Sequence, residues 1–471
     1  MGKPAKTYVC AACGGVFPKW AGRCEACGEW NTLEEQMTPA SLPGGLKASP
    51  HRRGAKLEFV GLEGVSPPPP RVPSTIAEFD RVLGGGLVPA SVVLVGGDPG
   101  IGKSTLLLQA SAALGRAGRQ VIYISGEESV DQIRLRAARL GLAKSPVHLA
   151  AATQLGDILA SLAQFPDAAL VVIDSIQTMW TEGVDSAPGS VTQVRAAAFE
   201  LIRAAKTQGF ALMLVGHVTK EGNIAGPRVL EHMVDVVLHF EGDRGHQFRI
   251  LRGIKNRFGA TDEIGVFEMT SAGLSEVANP SALFLAERRG NVSGSAVFAG
   301  LEGSRPVLVE IQVLLAPNPG GAPRRSVIGW DSGRLSMLLA VLETRCGLKL
   351  ASSDVYLNVA GGLRVGEPAA DRAVAAALIS AAADVPTDPQ MVFFGEIGLS
   401  GELRQVAQTD LRLKEAAKLG FSRAATPKRV AGGTARLAVP KGLAMVEIGH
   451  LTDLVGAITT GAKPGMKHEE D

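Results

Sequence analysis

Residues 97–104 read Gly-Asp-Pro-Gly-Ile-Gly-Lys-Ser, a G-x-x-x-x-G-K-[ST] run, and no other stretch limits the possible folds so tightly. Such a loop works only between a strand that delivers it and a helix whose N-terminal N–H groups converge on an anion. Both neighbours can be read from the residues. Ser91–Val95 is apolar and β-branched, the pattern of a strand buried on both faces, and Ser104–Leu114 is rich in leucine and alanine, as a helix would be. A parallel α/β sheet holding ATP and Mg2+ is therefore predicted for the middle of the chain. Gly97, Asp98, Pro99, Gly100, Ile101 and Gly102 would wrap the phosphates, with Thr105 just beyond. Lys103 would reach the β- and γ-phosphates and the Ser104 hydroxyl would hold Mg2+.

Further apolar runs supply the other strands of this unit: Val121–Ile124, Ala169–Ile173, Ala211–Val215 and Val234–Phe240. Gln247–Ile254 and Glu263–Met269 alternate more, as antiparallel edge strands do. Three of the buried runs lead to polar residues suited to phosphate chemistry. Leu170–Ile173 runs into Asp174, placed as an outer ligand of Mg2+. Tyr123–Gly126 runs into Glu127 and Glu128. One of them would orient the attacking water, Glu127 first and Glu128 in reserve, although either could instead favour the start of the next helix. His217, after Ala211–Val215, would sense the γ-phosphate or simply close the strand.

Four of the five cysteines lie within the first 27 residues. Cys10-x-x-Cys13 and Cys24-x-x-Cys27 are ten residues apart, and two residues between thiols let both sulfurs of a pair face one ion. Together they predict a tetrahedral, structural Zn2+ site, with Cys346 standing apart as a small apolar residue. Trp20 and Trp30 are expected in the core of this module rather than on a nucleic-acid surface. The chain thus divides into a zinc module (1–33), a Pro- and Gly-rich linker (34–73), the nucleotide-binding unit (74–278), a second α/β domain (279–460) and a polar tail (461–471). In the second domain strands are predicted at Val307–Leu314, Val355–Val359 and Met391–Phe394, and a helix at Asp371–Ala383. A net charge of +2 excludes a global field for a polyanion and leaves local clusters to bind one. No apolar run reaches the ~18 residues of a membrane span, and no signal-like segment precedes the cysteines. A cytoplasmic, reducing location is the expectation.

Ile254-Lys255-Asn256-Arg257-Phe258-Gly259 narrows the family. The P-loop, the Glu at the tip of the next strand and the apolar strand ending in Asp resemble the RecA-like ATPases. The KNRFG run resembles the signature of the RadA (Sms) family of bacterial recombination and repair proteins, which combine a zinc front, this core and a rear domain similar to the Lon protease domain. The resemblance implies a DNA-stimulated ATPase, a homo-hexameric ring on single-stranded DNA that extends branched recombination intermediates, with RecA among its contacts. It also implies that Lys255 and Arg257 reach a neighbouring subunit's γ-phosphate. A filament-forming strand-exchange protein and an ATP-driven peptidase are the alternatives. Two loops at the nucleotide rim, Met179–Thr192 and Thr219–Glu231, are expected to face DNA, with Lys220 and Arg228 on its phosphates.

In the rear domain Gly366–Asp371 and Gly395–Glu402 are similar to the protease motifs, but Ala369 stands at the serine position. The lysine position falls near Asp410, with Lys414 one helical turn on. Without a hydroxyl there is no acyl-enzyme. The domain is expected to be a ring-forming scaffold, with Arg364, Arg404, Arg412 and Lys414 as a basic face toward DNA.

Overall fold

The computed structural model describes residues 7–10, 16–17, 19–25, 30, 33–36, 70–216, 229–242, 247–261, 263–286, 288, 290–318, 320–428 and 438–460. Most of the linker and the whole of the tail fall outside them.

The middle of the chain forms a nine-stranded sheet. Its six parallel strands are β1 (Val92–Gly97), β2 (Gln120–Ser125), β3 (His148–Ala151), β4 (Ala168–Asp174), β5 (Ala211–Val215) and β6 (Val236–Glu241), in the order β3-β2-β4-β5-β1-β6. Three antiparallel strands, β7 (Phe248–Asn256), β8 (Ile264–Thr270) and β9 (Gly273–Glu276), extend it beyond β6.

The apolar runs are continuous because both faces are covered. In β1, Val93 and Val95 join Leu106, Leu107 and Leu114 of the helix Lys103–Arg116 in one core. Val92 and Leu94 turn to the other face and join Val194, Leu201 and Ala205 of the helix Val191–Gln208. The two-residue period of a strand thus feeds two separate cores. The strands at 248–256 and 264–270 are antiparallel, as predicted, but neither is an edge. β9 closes that side and β3 the other. Both are four-residue strands, and β3 is only partly covered, so neither leaves a strong apolar pattern.

The rear unit is a seven-stranded mixed sheet of β10 (Ser295–Glu302), β11 (Arg305–Pro317), β12 (Arg325–Ile328), β13 (Ser353–Val359), β14 (Met391–Phe393), β15 (Arg423–Pro427) and β16 (Ala444–Ile448), ordered β12-β13-β11-β10-β14-β15-β16. The helix Asp371–Ala383 packs on it with every residue from Asp371 to Ser380 buried. Its alanines let the helix lie close to β10 and β11.

The two units share a continuous junction. Ile250, Ile264 and Val266 of the first sheet belong to the apolar core of the rear unit. The turn between β10 and β11 also enters the junction: Arg305 pairs with Glu78 at 2.5 Å and donates to Ala278 O at 3.1 Å, and Ser304 N donates to Glu263 Oε1 at 2.9 Å. Arg252 bridges Glu241 (3.1 Å) and Glu302. Among the described residues no helix is long and apolar enough to cross a membrane.

Arg305 and Glu78 are both buried, so Arg305→Ala would strand a carboxylate in the junction. It should destabilise the protein by about 3–5 kcal/mol, read as a lower urea midpoint. Arg404→Ala, which breaks an exposed pair, should change the midpoint by an amount equivalent to less than about 1 kcal/mol.

Candidate nucleotide site

Parallel pairing gathers the C-terminal ends of β1, β2, β4 and β5 at one rim, with Ser125 opposite Asp174 and Val95 opposite Val215. The P-loop leaves β1 at Gly97, whose φ is 149°, and a Cβ there would stand 2.5 Å from Phe240 O on the adjacent β6. Gly102, at φ 115°, caps the helix Lys103–Arg116. Only glycine tolerates both positions.

Lys103 is 4% exposed, and its Nζ donates to Gly97 O (2.6 Å) and Asp98 O (3.0 Å). Burial pushes its pKa down, while the negative charges of Asp174, Asp98 and Glu127 oppose that shift. Asp174, at the end of β4, is buried and accepts a 2.5 Å hydrogen bond from the Tyr123 hydroxyl. Burial, and then the charge of Asp174, hold the Tyr123 pKa well above its usual value, so this hydroxyl stays a donor.

The two carboxylates left open by the sequence part company here. Ser175 Oγ donates to Glu127 Oε1 (2.5 Å), which ties Glu127 to the residue beside Asp174. Glu128 turns to Arg136 of the helix Val130–Arg139. The turn depends on Gly126, where a Cβ would fall 2.0 Å from Thr178 Oγ1. His217, Lys220 and Arg228 lie outside the described residues. The expected DNA loop at 179–192 is compact in its first half. The Gln193 amide donates to Thr181 O, Val184 O and Ser186 O, and residues 191 and 192 already belong to a helix.

Lys255 and Arg257 sit at the opposite rim. Lys255 pairs with Val237 and Asn256 with Val236, which lies beside Val93 near the start of β1. Lys255 is thus level with Leu94 and Asn256 with Val93, three and four residue steps from Gly97, roughly 10 to 13 Å along the strand at about 3.3 Å each. Lys255 Nζ donates to Glu231 O and Val234 O, both at 2.7 Å. Its pKa is lowered by burial and by Arg257, against the pull of Asp235 and Glu231. Buried Asp235 is the hub: it accepts from Val92 N (3.0 Å), Lys206 Nζ (2.7 Å) and Arg257 Nη1 (3.3 Å).

Residues 69–223 match the family described as AAA domain, and residues 8–35 match that described as Rubredoxin metal binding domain. The DNA repair protein RadA of Brucella abortus (strain 2308) is 56% identical over 97% of this chain and 98% of its own length. The proteins of the same name from Bacillus subtilis (strain 168) and Rickettsia felis are 48% and 52% identical over 96% and 90% of this chain, and 98% and 94% of theirs. The chain belongs to the RadA family of DNA repair proteins. It is a DNA repair ATPase with a metal-binding front module.

In this RadA-family chain, Cys13, Cys27 and the side chain of Cys10 lie outside the described residues. Val9 pairs with Val16 around the first Cys-x-x-Cys, and Arg23 with Trp30 around the second. The paired positions bracket each Cys-x-x-Cys at the same offset in the sequence, and Cys24 is buried against Phe17 and Ala21. Four thiols at this spacing, inside the segment that matches a metal-binding family, suit one tetrahedral ion. Trp20 and Trp30 are not core, however. They are 57% and 67% exposed.

Of the basic face expected on the rear domain, Arg412 is corrected. The helix Thr409–Lys418 turns Arg412 inward with Leu413 and Ala416. Arg412 is 2% exposed, paired with Glu367 (2.5 Å) and donating to Ala299 O (2.7 Å). Arg404 pairs with Glu402, and Lys414 lies 3.8 Å from Asp410; Arg364 is exposed. Ala369 is buried in the 3-10 turn Pro368–Ala370.

Tyr123, Ser175 and Asp235 were missed from the sequence. A tyrosine inside a doubly buried strand was the available signal, since its hydroxyl must find a partner. Tyr123→Phe should keep the fold, lower ATP turnover about 10- to 100-fold and raise the Mg2+ concentration needed, as loss of an outer-shell partner does. A Mg2+ titration of steady-state ATPase checks this.

Proposed function

We propose that this chain is a DNA-stimulated ATPase that assembles as a homo-hexameric ring in the cytoplasm, moves along single-stranded DNA and processes branched recombination intermediates, in contact with RecA. The observation that carries this reading is the placement of Lys255 and Arg257 on the rim away from their own P-loop. Cations that cannot serve their own subunit's nucleotide gain a use if a neighbour's triphosphate faces them, as in a ring.

Within the nucleotide site, the P-loop N–H groups and Lys103 bind the β- and γ-phosphates of ATP. Ser104 and Asp174 are the residues that would hold Mg2+, which would offset the charge of the phosphates. Glu127, steadied by Ser175, orients the attacking water and accepts its proton. Lys255 and Arg257, steadied by Asp235, stabilise the charge that develops on the neighbour's transferring phosphoryl group. His217 senses the γ-phosphate, and Lys220 and Arg228 hold the DNA backbone. Residue 369 has no hydroxyl, so the rear domain acts as a scaffold rather than a peptidase.

Lys103→Ala should abolish turnover. Lys255→Ala should bind a fluorescent ATP analogue almost as well as the wild type yet lose about 10³-fold or more in kcat, the scale of a cation supplied in trans. Mixing the two variants should restore part of the activity, because an interface can then combine an intact P-loop with an intact Lys255. No recovery on mixing, or equal loss of nucleotide binding in Lys255→Ala, would refute the trans role.

A further inference from the structure

Trp20 and Trp30 of the front module are both more than half exposed, an unusual use of two large indoles that would otherwise supply much of a small core. They share one spot: a Cβ on Gly22 would lie 3.9 Å from Trp20 Cη2 and 3.9 Å from Trp30 Cζ3, so the rings flank residue 22. The Arg23 guanidinium lies 5.8 Å from the centroid of the Trp30 ring, and Arg23 pairs with Trp30 across the hairpin. Lys19 and Arg23 are exposed beside the rings, with Glu25 the one acidic side chain described there.

We propose that this face is a stacking site for unpaired bases of single-stranded DNA, with nucleobases on the Trp20 and Trp30 rings and the phosphates between them held by Lys19 and Arg23. The choice of occupant rests on charge and shape. Flat π-faces interleaved with cations suit a polyanion that exposes flat bases, and ring stacking needs no particular sequence. The inference rests on the reading that single-stranded DNA is the ligand, and it assigns the front module a share of that binding separate from the ATPase unit.

The test uses the full-length protein and two fluorescein-labelled probes, oligodeoxythymidylate and an equally long abasic phosphodiester. The wild type should prefer the first. Trp20→Ala and Trp30→Ala should each weaken oligothymidylate binding about 5- to 100-fold, leave abasic binding within about twofold, and be largely rescued by Trp→Phe at the same position. Alanine variants that bind oligothymidylate as tightly as the wild type would overturn the stacking site alone. Phenylalanine variants that lose as much as the alanine ones would also overturn it, pointing to a protein contact or a role in the module's fold. If the wild type binds neither probe, the DNA reading itself fails and the stacking site with it.

Discussion

The direction of the strands governs this molecule. Six neighbouring strands run parallel, so their C-terminal ends meet at one rim and their N-terminal ends at the other. The first rim collects the P-loop, Glu127 and Asp174, and the second collects Asp235, Lys255 and Arg257. An antiparallel arrangement would scatter these groups. The parallel one requires crossovers, which bury the strands on both faces, and that burial makes the rim charges expensive to leave unpaired. Tyr123 beneath Asp174 and Lys206 beside Asp235 answer this requirement at the two ends of the sheet.

The rear unit is tied to the same strands. β6 lies beside the P-loop strand, with Phe240 opposite Gly97, and its last residue, Glu241, shares Arg252 with Glu302 of the rear domain. A short path of strand and ion pair thus links the phosphate loop to the rear sheet. Burial raises the Glu302 pKa, against the pull of Arg252, so the guanidinium between the two carboxylates is needed to keep the link ionic. Arg305, locked onto Glu78 a few residues on, makes the junction a continuation of the core.

The rear sheet keeps a protease-like helix start and fills it with structure. Around Ala369, Asp371 is held by Arg334 (2.6 Å) and Ile397 N (3.0 Å), and Glu367 by Arg412. Charged groups around the helix start are spent on holding loops to the sheet. Arg372 departs from this pattern. It is fully buried, its Nη2 donates to Ile448 O at 3.0 Å, and burial lowers its pKa to about 9.

The sequence by itself determined the parts set by local chemistry. The P-loop could be read because its glycines are demanded by backbone angles, and the buried strands because a doubly covered sheet leaves continuous apolar runs. The helix Asp371–Ala383 could be read to the residue, since an alanine-rich stretch bounded by Asp371 and Asp384 admits little else. What only the tertiary structure decided concerns residues with two acceptable environments. Glu127 and Glu128 are adjacent and chemically alike, and they differ because Ser175 meets one and Arg136 the other. Arg412 is buried and Trp20 exposed, against the simplest expectation for each; for Arg412 the reason is that its guanidinium finds Glu367 inside. Lys255 could be named from its motif, but its distance from its own P-loop follows from strand register, which no single residue encodes.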